Sequence, residues 1–265
     1  MTTTQTTSHL AVVTGASSGI GRALARRFAE HGHDVVIAAE DEAITTVADE
    51  LAARHGVTVT PVRADLSTAE GVQQLYDDAT ARGPIEVLAL NAGIGVGGRF
   101  AETALEDHLR LVDLNVRSTV HLAHLIVRDM VERGHGRVLV TSSIAATGPG
   151  PYHATYAASK AFDHSFAEGI REELKGTGVT VTSLMPGPTD TDFFRRADML
   201  DTKIAQGPKD DPDEVAADGY DALMAGRASV VAGSIKNRIQ AEVATHLPDA
   251  VAAPLMGSQT KPRTS

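Results

Sequence analysis

The chain of 265 residues has no cysteine, so disulfides, thiolate metal sites and a cysteine nucleophile are excluded, and the redox compartment is left open. It also has no surplus of positive charge: 24 Lys and Arg stand against 34 Asp and Glu, for a formal net charge of −10. Such a chain repels a phosphate backbone, and no basic tract or aromatic-interleaved basic patch offsets this, so no nucleic-acid partner is expected. No apolar run approaches the ~20 residues that cross a bilayer, and no membrane association is expected. Met1 to Ser8 is Thr-rich and offers neither a charged n-region nor an apolar h-region, so the expected location is cytoplasmic. Internal repeats and interior low-complexity linkers are missing as well. What is present is ordinary: 42% hydrophobic and 22% charged residues suffice for a full core, and open α/β sheets often reach this length as one domain.

From His9 onward, short apolar runs alternate with longer amphipathic stretches, as when parallel strands are joined by crossover helices. Strands are predicted at 10–14, 34–39, 58–62, 87–90, 137–141 and 179–184, with a weaker one at 229–231. Most are continuous aliphatic or β-branched runs, so helices should cover both faces of a doubly wound sheet. Helices are predicted near 20–31, 42–55, 69–82, 105–133, 156–175 and 212–225, the longest as two helices or one with a bend. One domain over 9–253 is expected, between tails at 1–8 and 254–265 too polar to order themselves. Within 119–131, Val120, Leu122, Ala123, Leu125, Ile126, Val127, Met130 and Val131 cover more than one helical stripe. Burial against both the sheet and a second subunit explains this, as does deep burial within one subunit.

Thr14-Gly15-Ala16-Ser17-Ser18-Gly19-Ile20-Gly21 follows the first strand and opens the first helix, where a pyrophosphate can use backbone N–H groups and the positive end of the helix dipole. Gly15 permits the tight turn, Gly19 a close approach of backbone to phosphate, and Gly21 close helix–sheet packing. A plain strand-to-helix turn uses glycines too, so the cluster is weak evidence taken alone. No Lys-Ser/Thr follows Gly21, which excludes a P-loop.

Three further features follow in order: Asn91-Ala92-Gly93 after the fourth strand, Ser143 after the fifth, and Tyr156-Ala157-Ala158-Ser159-Lys160 thirteen residues beyond Ser143. Together with the glycine turn they make the chain, over about 10–191, resemble the short-chain dehydrogenase/reductase family. The resemblance implies a three-layer Rossmann fold with a mostly parallel seven-stranded sheet, and hydride transfer between NAD(P) and a carbonyl or alcohol. It implies a catalytic set of Asn115, Ser143, Tyr156 and Lys160, with Asn115 holding a water in a proton relay and Lys160 also bonding the nicotinamide ribose. It places the cofactor along Gly15, Ser17, Ser18, Gly19, Ile20 and Gly21, with Asp65 and Leu66 at the adenine, Asn91 to Ile94 beside it, and Pro186, Gly187 and Thr189 at the carboxamide. It also implies a homotetramer, a dimer fitting the sequence equally.

The residues support this chemistry directly. Tyr156 and Lys160 lie four apart on a predicted helix and so share a face. At about 4–6 Å and an effective dielectric of about 20, the ammonium stabilises the phenolate by roughly 3–4 kcal/mol, or about two to three pKa units. That would bring the phenol into the range useful for general acid/base work, provided solvent does not weaken the pull. Ser143, near the carboxyl end of a strand, is placed to donate to a substrate oxygen as charge develops there. Each of these residues has an ordinary structural explanation by itself, and it is their joint arrangement that points to function.

Glu40 follows the second strand, where an acid accepts from a free ribose 2′-OH and repels a 2′-phosphate, which favours NAD over NADP. Substrate recognition is expected in loops 94–100, 144–153 and 189–208, with Phe193, Phe194, Met199 and Leu200 as a possible apolar lid near 189–210. His121 and His124 share a helix face but have no third ligand placed by sequence, so no metal site is expected. A redox sensor that binds NAD(P) without turnover would not need the Ser143, Tyr156, Lys160 and Asn115 set. A sugar epimerase would usually need a larger C-terminal region than the chain has after Gly187.

Overall fold

The computed structural model describes residues 9–234 and 246–263, so the expected tail at 1–8, the last two residues of that at 254–265 and the segment 235–245 lie outside the described residues. Seven strands form one all-parallel sheet: β1 (Leu10–Thr14), β2 (Asp34–Ala39), β3 (Val59–Arg63), β4 (Ile85–Leu90), β5 (Gly136–Thr141), β6 (Val179–Pro186) and β7 (Ser229–Ala232). Between them run α1 (Gly19–Glu30), α2 (Ala43–His55), α3 (Ala69–Thr80), α4 (Leu105–Val112), α5 (Ser118–Arg133), α6 (Ala154–Glu173), α7 (Phe193–Arg196), α8 (Lys203–Gln206) and α9 (Pro212–Met224), with α10 (Asp249–Thr260) last.

Alternation along the strands decides which helices cover which face. Ala11, Val13, Val35, Ile37 and Leu139 pack with Leu24 and Phe28 of α1, Ile44 and Leu51 of α2, and Val215 and Leu223 of α9. Their neighbours Leu10, Val12, Val36, Leu88 and Val138 face Leu75 of α3, Leu122, Ile126 and Met130 of α5, and Ala167 of α6. The result is the doubly wound, three-layer arrangement anticipated from the continuous apolar strands. Phe28 is fully buried, and losing such a ring costs about 3–5 kcal/mol. At the sheet edge, β3 carries Pro61, whose missing N–H is tolerated only on an edge strand.

The strand order is β3-β2-β1-β4-β5-β6-β7, so the direction of winding reverses between β1 and β4. There the loops at the carboxyl ends part and leave a crevice, the usual ligand position in open α/β sheets. The predicted 105–133 helix is α4 and α5 joined through a π-helical turn, Asp113–Arg117, that contains Asn115. Such turns widen a helix locally and are frequent at functional sites. Among the described residues, no helix is long and apolar enough to cross a membrane.

The expected disordered tail over 254–265 needs correction, because Asp249–Thr260 is a helix. Polar composition argued against order, but Thr260 is buried at 1% exposure and its hydroxyl donates to the Pro151 carbonyl at 2.7 Å. Gly257 lies against Pro151, so the helix is held by partners distant in sequence.

Candidate active site

The glycine turn builds one end of the crevice from backbone. Gly15 has φ +67°, and a Cβ there would come within 2.9 Å of the Ala92 Cα; at Gly21 a Cβ would overlap the Gly15 carbonyl oxygen. Ser18 caps α1 in extended conformation without a side-chain cap hydrogen bond, and the first turn has no acid. The helix therefore presents N–H groups and dipole to the crevice without an internal anion to offset them, a fit for a pyrophosphate. Ser17, Gly19 and Ile20 line the same stretch, with the Ser17 hydroxyl donating to Asp41 Oδ2 at 2.7 Å. Thr14 Oγ1 accepts from the N–H groups of Asn91 and Ala92, both at 2.9 Å, and Asn91 Nδ2 donates to the Thr14 carbonyl at 3.1 Å. These bonds fasten the ends of β1 and β4 side by side, so that Asn91, Ala92 and Gly93 form the floor.

Beyond the turn lie Glu40, Asp65 and Leu66. Arg110 of α4 reaches across to Glu40 Oε2 at 2.5 Å, while Arg63 Nε donates to the Glu40 carbonyl at 3.1 Å. Hydrogen bonding from Ser67 holds the Asp65 carboxyl below its ordinary range against the opposing effect of burial, and Arg110 adds to the lowering. Arg110 thus sits between two acids at this end, a contact that its position on a distant helix hid from the sequence.

At the other end, Ser143, Tyr156 and Lys160 line the crevice together with Pro186, Gly187 and Thr189. Ser143 accepts from the Ala145 N–H at 3.1 Å, which fixes the start of the 3₁₀ turn Ile144–Thr147. Asn115 is not part of the lining. It is fully buried behind the floor, where its Oδ1 accepts from Ile94 N at 2.9 Å and its Nδ2 donates to the Ile94 carbonyl and to Ser159 Oγ, each at 3.0 Å. Both amide protons are spent on tying the floor to α6, so the side chain has none left to give a relay water.

The phenol is tuned opposite to expectation. Burial, the largest influence, pushes Tyr156 above its ordinary range; Lys160 and hydrogen bonding with Ser143 pull it down without overcoming this, and Asp163 raises it further. Weighing the lysine charge alone omitted desolvation and the acid that holds the lysine. Lys160 Nζ donates to Asp163 Oδ2 at 2.9 Å and to the Thr141 carbonyl at 2.8 Å, and both members of the pair are buried. Burial alone would lower the Lys160 ammonium, but Asp163 and Tyr156 hold it above its usual range; burial pushes the Asp163 carboxyl up, and Lys160 offsets only part of this.

Apolar side chains close the space beside Tyr156. The Phe193 ring stands 5.0 Å from the Tyr156 ring, and Phe194 of α7, Met199 of the following turn and Ile204 of α8 continue the wall. Leu200, expected in this lid, is 54% exposed and is absent from the lining. His153 and Arg196, within the loops expected to recognise substrate, line the site, as do Met256 and Thr260, which no local motif announced. Burial lowers His153 below its ordinary value, although its hydrogen bond to the Pro151 carbonyl at 3.1 Å opposes this. His121 is half-buried and His124 exposed, and no group of three metal-ligating side chains occurs among the described residues.

Comparison with known proteins settles the family. The short chain dehydrogenase family model matches residues 9–199. The chain belongs to the short-chain dehydrogenase/reductase family. It is 44% identical over 189 residues to 1-deoxy-11-beta-hydroxypentalenate dehydrogenase of Streptomyces exfoliatus, covering 69% of this chain and 68% of that one. Identity to a short chain dehydrogenase of Pseudocercospora fijiensis is 34% over 196 residues, which are 72% of this chain but span only 63% of that relative. Among family structures, the short-chain dehydrogenase of Sphingobium yanoikuyae in complex with NADPH superimposes with a TM-score of 0.80 at 27% identity, covering 94% of this chain and 95% of the other.

Proposed function

We propose that this protein is an NAD(P)-dependent oxidoreductase that interconverts an apolar ketone and its secondary alcohol, with Tyr156 as proton donor and acceptor. The observation that carries the reading is the meeting of Ser143, Tyr156 and Lys160 at the winding reversal, beside a wall of apolar side chains. A nicotinamide held in the crevice would supply or accept the hydride. Tyr156 gives its proton to the substrate oxygen, Ser143 donates a hydrogen bond that steadies the charge developing there, and Lys160 supplies the nearby cation and bonds the nicotinamide ribose. Asn115 contributes by fixing the Ile94 backbone and Ser159 of the catalytic helix.

A phenol raised by burial keeps its proton at neutral pH, so it is ready as an acid and must lose the proton before it can act as a base. Ketone reduction should therefore hold level around neutral pH and decline only in the alkaline range, while alcohol oxidation should rise with pH. Phe193, Phe194, Met199 and Ile204 favour an uncharged apolar substrate; Arg196 lines the site, but its guanidinium donates to Ser18 Oγ at 3.4 Å. The cofactor is NAD in preference to NADP, because Glu40 and Asp41 place carboxylates at the adenosine end, where a 2′-phosphate would be repelled. Exposed Leu105, Leu109, Val112, Val120 and Val131 on α4 and α5 support a homotetramer or homodimer through that face, in the cytoplasm.

The deciding experiment follows reduced-nicotinamide absorbance over a panel of ketones and alcohols with both cofactors. Tyr156→Phe should lower turnover by about 10²–10⁴-fold with cofactor affinity retained. Turnover that survives this change refutes the proton donor; a tenfold kcat/KM preference for NADPH refutes the cofactor assignment; and binding without turnover on any substrate favours a redox sensor.

A further inference from the structure

Asp163 is an acid at a helix–sheet interface where packing alone would select an apolar side chain. It stands in α6 three residues after Lys160, is 2% exposed, and accepts from Lys160 Nζ at 2.9 Å through Oδ2. Its other oxygen, Oδ1, is buried without a hydrogen-bond partner among the described residues. A half-satisfied buried carboxylate is costly, and buried ion pairs are often no more stabilising than well-packed hydrophobic residues of similar volume. The pair as a whole adds little to stability, and what Asp163 contributes is to hold and neutralise the buried Lys160 ammonium.

Of the three protons on Lys160 Nζ, one goes to Asp163 and one to the Thr141 carbonyl at 2.8 Å. The ammonium lies on the Gly93 side of the crevice, where a Cβ on that glycine would stand 3.4 Å from Nζ. A cation with a carboxylate in contact presents a dipole instead of a single charge, and its attraction for a neighbouring phenolate falls accordingly. We propose that Asp163 is a positioning residue of the active site: it fixes the Lys160 ammonium and offsets its charge, so that Lys160 pulls less strongly on the Tyr156 phenol.

The charges acting on the Tyr156 phenol are those of Lys160 and Asp163. Other groups facing this part of α6 are His153, whose ring is 6.1 Å from that of Tyr156, and His108 of α4, hydrogen-bonded with Thr155 at 2.9 Å. The π turn contributes Asn115, while its Asp113 and Arg117 pair with each other; β5 contributes the Thr141 carbonyl, the 3₁₀ turn is apolar apart from Thr147, and β6 contributes Ser183, which engages His164 at 3.0 Å. The inference rests on the reading of Tyr156 as the proton donor.

The test is Asp163→Asn in the full-length holoenzyme, since the amide oxygen still accepts from Lys160 while the charge is gone. The acid limb of kcat/KM for alcohol oxidation should move down by about one pH unit or more. Oxidation at neutral pH should then rise by up to about tenfold. A limb that stays in place, or moves up, overturns the proposal. Should that variant not fold, Asp163→Ser, which also removes the charge, is read in the same way: an acid limb that moves down supports the role, and one that stays in place or moves up refutes it. Tyr156→Phe separates the two levels. Turnover surviving in that variant removes the catalytic reading itself, whereas an inactive Tyr156→Phe with an unmoved Asp163→Asn limb removes only the role of Asp163.

Discussion

The two ends of the crevice are made of different material. The dinucleotide end is backbone: Gly15, Gly19 and Gly21, the open N-terminus of α1, and the Thr14 and Asn91 bonds that fasten two buried strands. The substrate end is side chain, contributed by α7 and α8 of four residues each and by α10 from far along the chain. Backbone geometry has little tolerance, because at Gly15 and Gly21 one added carbon collides with backbone atoms that cannot turn aside. A wall of Phe, Met and Ile on short helices can be exchanged residue by residue with graded effect. Such a division lets one scaffold keep its chemistry while its substrates change.

Substitutions at each end test this division. The largest effect is expected at Gly21→Val, whose Cβ would overlap the Gly15 carbonyl oxygen. Calorimetry should find no measurable cofactor binding and thermal unfolding a lowered Tm; wild-type affinity would show that the turn is not the tight element described. A smaller, selective effect is expected at Phe193→Ala, whose ring stands 5.0 Å from Tyr156. Its kcat/KM for an apolar ketone should fall by about tenfold or more with the cofactor Kd unchanged, and equal losses in both would erase the distinction between the ends. The smallest is Thr260→Val, which removes the 2.7 Å hydrogen bond to the Pro151 carbonyl. Denaturant titration should show a loss of about 1 kcal/mol, and an unshifted midpoint would mean that α10 is held by its apolar contacts alone.

Much of the frame was legible because it rests on local rules. Continuous apolar strands required helices on both faces, and β1 and β2 were predicted to their observed bounds. The spacing of Tyr156 and Lys160 put both on one face, and both line the crevice. The direction of the phenol shift was misjudged because a pairwise charge estimate knew nothing of burial, and Asp163, one helical turn from Lys160, was not weighed although its spacing was visible. The order of the C-terminal segment was misjudged for a related reason: its composition is that of a tail until Pro151, Tyr152 and α8 are beside it.

By itself, then, the sequence determined the layers, the glycine turn and the placing of Tyr156 and Lys160 on one helix face, all of which follow from periodicity, steric allowance and helical spacing within a few residues. The fold alone decided that Arg110 meets Glu40, that Asn115 braces the floor from behind, that α10 helps close the crevice beside Tyr156, and that burial raises the phenol. These depend on desolvation and on contacts between residues from about twenty to more than a hundred positions apart, quantities that exist only once the chain has packed.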